Sequence, residues 1–336
     1  MRRHGGRMHQ DTMYSPRELK DREYIPQRTY LKLMIGGTLS LLKTLTLNLG
    51  TLKKLRNNDS TDIYVRPERP YDIPAYSQDM EHHVSDEKYL RPTLYCNPRH
   101  PDIVAMAHEL GASRLSDRAF AEAAFEFVKR NVTLEILPLD GAEDTLRRGT
   151  GTCFHQISLF IALCRAAGVK ARYKMFAMNL IDAWYDAVVE VDPLIKKWYD
   201  SMGYFMIEGE GEAHVDGEWV VAHVGPKPER QAAAHIPVTK FGEDSLGRWF
   251  HALPGTIMRM ESIPYGLGGA TRILKKIAPG SMARVNQSIL QQIAHGHQII
   301  EQAGGEEAYD QQARQKSAPE MPTVSIQRHK AVTFAH

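Results

Sequence analysis

The sequence predicts an α+β fold, on two observations. Apolar residues recur at helical spacing between residues 101 and 166, and the segment 204–224 alternates with period two around Asp216-Gly217. Helices followed by paired strands read as helices packed on an antiparallel sheet. The 336 residues suit about two domains, or one domain with appendages, and 43% apolar residues suffice for a packed core.

Residues 1–65 read as a basic amphipathic arm. Residues 1–56 hold twelve Lys and Arg against four Asp and Glu, a net of +8, which leaves −6 on the rest of a chain whose total is +2. Leu39, Leu42, Leu45, Leu49 and Leu52 recur every three or four residues and form one apolar stripe. That stripe either docks on the body or lies against a membrane surface or partner. Residues 66–97, rich in Pro, Tyr and charge, read as an extended linker.

A helix is expected after Pro101, with Ile103, Ala107 and Leu110 on one face and Gly111 as its end. Ser116-Asp117 caps a second helix that turns Phe120, Ala123, Ala124, Phe127 and Val128 inward. Asp140 to Arg148 is a short helix closed by Gly149. The turn Gly149-Thr-Gly-Thr then leads into a strongly apolar helix that starts at Cys153 and ends at Gly168, and Ala171–Met178 follows as a strand. Asp182–Met202 is helical but must break at Pro193. Residues 226–305 form a helical extension that includes a helix from Ser281 to Ala303, and the polar residues 306–336 are expected to be disordered.

Cys96, Cys153 and Cys164 lie at no metal-ligand spacing, and so few cysteines argue for a reducing compartment rather than a disulfide scaffold. The first thirty residues are polar, and four lysines interrupt Leu31–Leu55, so a cytoplasmic chain with no spanning helix is expected. No nucleic-acid motif accompanies the basic arm.

Cys153 carries the chemistry. At the first turn of a helix a thiol meets unpaired N–H groups and the positive end of the helix, which favour its thiolate and can hold a developing oxyanion. The same position also suits a small core residue, as Cys164 does deeper in the helix.

Gly151, Cys153, Leu159, Phe160, Ala162, Leu163, Arg165, Ala166, Ala167, Gly168, Val169, Ala171 and Arg172 together resemble the core signature of the transglutaminase-like superfamily. A helix like Ala119–Asn131, a stretch like Ala142–Gly149 and a second motif, Asp216-Gly217-Glu218-Trp219-Val220, extend the resemblance over residues 98–225. It implies a papain-like fold and a Cys-His-Asp triad in which the thiol attacks an amide or ester carbonyl. The chain departs from that triad. The family's His falls at Glu208 and its Asp at His223, so acid and imidazole have exchanged places.

Counting outward from the two-residue turn sets His223 opposite Glu210 and one diagonal step from Glu208. The expected site is therefore Cys153 with His223 as base, oriented by Glu208 or Glu210. Its substrate is a peptide, amide or thioester, and no cofactor or metal is expected. His214 abuts the turn, and His155 points away from Cys153 along the helix. A face with three Glu and two His also suits a metal, although its spacing matches no ligand motif. The other reading is an inactive module that binds a peptide-like ligand over a solvated acidic face. The inserted stretch 182–202 carries Trp184, Tyr185, Trp198 and Tyr199, and an insertion there overhangs the cleft.

Overall fold

The computed structural model describes residues 27–56, 66–180, 184–202, 205–243, 251–252, 256–263, 272–273 and 275–316. Two helices come first, α1 (Gln27–Leu47) and α2 (Leu49–Arg56). Helix α3 (Pro101–Glu109) and helix α4 (Asp117–Asn131) follow, the latter capped by Ser116 as expected. Then come β1 (Thr133–Leu134), α5 (Ala142–Arg148), β2 (Thr150–Gly151) and α6 (Cys153–Ala166). Strand β3 (Ala171–Asn179) leads to a π-helical turn (Tyr185–Val189), then α7 (Pro193–Met202), β4 (Phe205–Val215) and β5 (Glu218–Ala222). The chain continues through α8 (Pro228–Ala233), β6 (His251–Ala252), β7 (Met258–Met260), α9 (Pro279–Gln302) and α10 (Glu306–Arg314).

Helix α6 is the centre of the core. Every residue from Phe154 to Ala166 is buried, as an all-round apolar helix requires. It lies between α3, α4 and α5 on one side and the sheet on the other. The sheet is antiparallel, in the order β5-β4-β3-β6, with β7 also paired to β3. At Asp216 and Gly217 φ is 51° and 81°, the left-handed pair that an Asp-Gly hairpin turn needs. On β4 a Cβ at Gly211 would lie 2.7 Å from the Phe160 ring, so glycine lets the helix approach the strand this closely.

Arg165, fully buried near the end of α6, ties the layers together. It donates to the carbonyls of Ala171 (2.9 and 3.1 Å), Arg91 (2.8 Å) and Glu261 (2.9 Å). Arg91 in turn pairs with the buried Glu261 at 2.8 Å. The segment 66–97 is thus stitched to the core along its length, because Arg66 also pairs with Glu135 and the Tyr71 hydroxyl donates to Leu146 O.

Two expectations are corrected. The polar tail contains a helix, α10, which buries Tyr309, Asp310 and Ala313; the Tyr309 hydroxyl donates to Ile236 O at 2.8 Å, and Asp310 accepts from Val238 N. Residues 317–336 lie outside the described residues. The arm packs against α7 and α9, but by a face offset from the stripe, which takes in only Leu45 and Leu52, both half-buried. Thr44 is buried and Gly37 with it, while Leu39, Leu42 and Leu49 remain exposed. Ser40 bonds Ser201, and Lys197 donates to Asn48. Deleting residues 1–56 should lower the melting temperature by about 2–6 °C, since a shallow contact of this kind contributes on the order of 1–2 kcal/mol. An unchanged thermal transition would show that this contact contributes nothing to stability.

Candidate functional site

The segment before Cys153 is held at both ends. Parallel pairing of β1 with β2 fixes Thr150 and Gly151, and Glu135 N donates to Gly151 O at 2.8 Å. Thr152 then caps α6, and its backbone N–H donates to Nδ1 of buried His155 at 3.0 Å. That ring's Nε2 lies 3.0 Å from an Asp140 oxygen. His155 is therefore a helix-capping group turned away from the thiol, in agreement with its place on the helix. Cys153 is delivered as the first residue of α6, half-buried.

The group that meets the thiol is Glu208. Strand β4 holds it beside β3 (Phe176↔Glu208), and both it and Cys153 line the same cavity. Burial pushes the thiol well above its ordinary range, and the neighbouring Glu208 pushes it the same way. The backbone N–H groups of Phe154 and Cys153 favour the thiolate, as a helix N-terminus should, but they lose to these two effects. Glu208 is itself raised by burial, and this is opposed by the thiol, by Gly209 N at 3.1 Å and by the charge of Arg230.

His223 lies opposite Glu210, in the register counted from the turn, with Nδ1 3.4 Å from a Glu210 oxygen. Glu210 is fully buried, and it also takes Lys174 Nζ at 3.1 Å. Burial, with the charges of Lys129 and Lys174, holds the imidazole well below its usual range, so it is neutral. Lys129 Nζ donates to the carbonyls of Pro226 (2.9 Å) and His223 (3.4 Å), and burial lowers its pKa to about 7.

The expected solvated acidic face is corrected by the same geometry. Glu210 and Glu212 are buried, and the basic residues across the ladder, Lys174, Arg172 and Arg259, pair with them. His214 packs edge-on against Trp219 beside the turn, and no group of three or more metal-ligating side chains occurs among the described residues.

Cys153, Glu208 and His223 line one cavity of about 310 Å³. Its wall also contains Leu134, Ile136, Met178, Leu180, Trp184 and Val188. Arg230 completes it, and sequence reasoning passed this residue over because nothing in the Pro228–Ala233 stretch forms a motif. Its Nε donates to Gln292 at 3.1 Å, and its guanidinium lies 5.3 Å from the Trp184 ring centre. Burial lowers its pKa to about 10, against the opposing pull of Glu208 and Cys153.

Comparison with known proteins places this helix and its neighbours. The family model described as "Transglutaminase-like superfamily" matches residues 104–200. The matched stretch of this transglutaminase-like core carries Cys153 and the whole of α6, and it stops before β4, so the exchanged positions Glu208 and His223 lie beyond it. A crystal structure of a candidate cysteine protease from Cytophaga hutchinsonii is similar at 20% identity with a TM-score of 0.31, over 46% of this chain and 49% of that one. The chain thus spans about half the length of that structure. Among curated proteins, none matches. No described helix is long and apolar enough to cross a membrane.

Proposed function

We propose that this transglutaminase-like core performs cysteine-dependent acyl transfer or hydrolysis on an amide or thioester, with Glu208 in the place usually held by an imidazole. The single observation that carries this reading is the placing of the Cys153 thiol, at the head of α6, and the Glu208 carboxylate in the wall of one cavity, where each acts on the other. Glu208 takes the S–H proton as the sulfur bonds to the acyl carbon. The N–H groups at the start of α6 stabilise the oxyanion. When the tetrahedral intermediate collapses, the carbon–nitrogen or carbon–sulfur bond breaks and the protonated Glu208 returns the proton to the leaving amine or thiol. Water or an amine then resolves the thioester on Cys153 with Glu208 again as base. The charge of Arg230 favours the ionised form of Glu208 against the burial that raises its pKa. His223, with Nδ1 3.4 Å from a Glu210 oxygen and a pKa held well below its usual range, works as a wall and positioning group rather than as the base.

A second reading, a ligand-binding module without turnover, is favoured by the thiol's raised pKa. Intact-mass spectrometry after incubation with acyl thioesters of N-acetylcysteamine separates the two. The acyl mass should appear on Cys153 and be absent from Cys153→Ala, with Cys96 and Cys164 unlabelled because both are buried. No adduct at neutral or mildly alkaline pH would leave the binding module as the function.

A further inference from the structure

The substrate's acyl part is read from the cavity wall, and this step rests on the acyl-transfer reading. The wall beside the sulfur holds one acidic group, Glu208, one basic group, Arg230, and the imidazole of His223. Glu208 and Arg230 act on each other, so neither sign of charge dominates the cavity. Apart from Thr152 and Gln156 at the head of α6, the rest of its wall is apolar, with Leu134 and Ile136 from β1 and the segment after it, Met178 and Leu180 from the end of β3, and Trp184 and Val188 from the inserted π-helical turn and its cap. Met178, Leu180 and Trp184 are themselves buried, and they form a small core with Phe176, Val189, Tyr199 and Ile236, so this side of the cavity is packed in place. Trp184 is doubly anchored, since its ring also carries the Arg230 guanidinium. The volume of about 310 Å³ lies at the lower end of the roughly 300–1,000 Å³ typical of small-molecule sites.

We infer that the group transferred to Cys153 is a small, uncharged, apolar acyl group, aliphatic or aryl, seated between Leu134 and Ile136 on one side and Trp184 and Val188 on the other. The inserted turn is what sets its length. An apolar acyl chain gains by leaving water and meets no unpaired charge, whereas a carboxylate or ammonium on that chain would be buried without a partner.

The test uses the full chain and a series of N-acetylcysteamine thioesters from acetyl to octanoyl, with succinyl and glycyl thioesters as charged controls. The rate of Cys153 acylation should rise about three- to fourfold per added methylene until the cavity is full, and the charged acyl groups should be slowest. Val188→Trp should flatten that rise, and Val188→Ala should move the optimum to longer chains. Acylation that ignores chain length, or prefers the charged groups, overturns the inference while leaving the acyl-transfer reading intact. If no thioester acylates Cys153, calorimetry of Cys153→Ala with N-methyl alkylamides of rising length decides. Affinity that climbs with length keeps the apolar site and removes the chemistry, and length-independent or absent binding removes both.

Discussion

Replacing Glu208 with Gln should make Cys153 more reactive towards iodoacetamide at neutral pH and at the same time suppress its acylation by substrate. The two effects have opposite signs because the carboxylate acts twice on one sulfur. As a charge it disfavours the thiolate, so a neutral amide lowers the thiol pKa. Arg230, relieved of its counter-charge, then acts on the sulfur alone and lowers it further. As a proton acceptor, however, Glu208 cannot be replaced by an amide, and losing a positioned general base costs roughly 10²–10⁴ in rate. The pH dependence of alkylation should move to lower pH in Glu208→Gln, and Glu208→Asp should recover part of the acylation. A variant that alkylates more slowly and acylates normally would remove Glu208 from the chemistry.

The second large effect belongs to Glu210. It is fully buried between Lys174 and His223, and Lys129 adds a further positive charge nearby. Glu210→Ala breaks the buried pair with Lys174, and breaking a buried pair costs about 3–5 kcal/mol. For a domain of this size that is a fall of roughly 10 °C in melting temperature. The double variant with Lys174→Met should recover most of the loss, because it removes the other charge of the pair as well. Acid sensitivity has the same origin. His223 has a folded pKa held below its ordinary value of about 6.5, so below that pH the unfolded chain binds a proton that the native ring refuses. Stability should therefore fall as pH drops below about 6.5, by up to about 1.4 kcal/mol per pH unit, and the slope should be shallower in His223→Gln. Chemical denaturation at several pH values measures both effects, and a pH-independent Glu210→Ala of normal stability would contradict them.

Much of the site could be read from the sequence where local rules apply. The glycine-bracketed turn and the unbroken apolar run that follows could only start a buried helix, which set Cys153 at its head. The Asp216-Gly217 turn fixes register, so the pairing of His223 with Glu210 followed by counting. What could not be read was distance across layers. Register says which residues face each other on two strands, but not which of them the N-terminus of a helix packed on those strands will reach. That is why the place of Glu208 beside the thiol could not be counted out from the turn. Arg230 was invisible for a related reason: it enters from α8, far along the chain, with no local pattern to mark it. Periodicity likewise revealed the leucine stripe of the arm, yet the docking face runs through Gly37 and Thr44, small residues that allow close approach and carry little hydrophobic signal.

Arg165 has a consequence for how the protein is made. Its guanidinium is sealed in the core by three carbonyls, and only that of Ala171 lies within residues 98–225. Arg91 precedes that stretch and Glu261 follows it. A fragment cut to the stretch that resembles the family would bury a full positive charge with two of its three acceptors missing, which is a cost of several kcal/mol. A unit that keeps all three acceptors therefore runs from before residue 91 to beyond residue 261. On the ribosome, where the chain emerges from its N-terminus, Arg165 gains its last acceptor only when Glu261 has left the exit tunnel. By then every residue that lines the cavity above Cys153 has already been made.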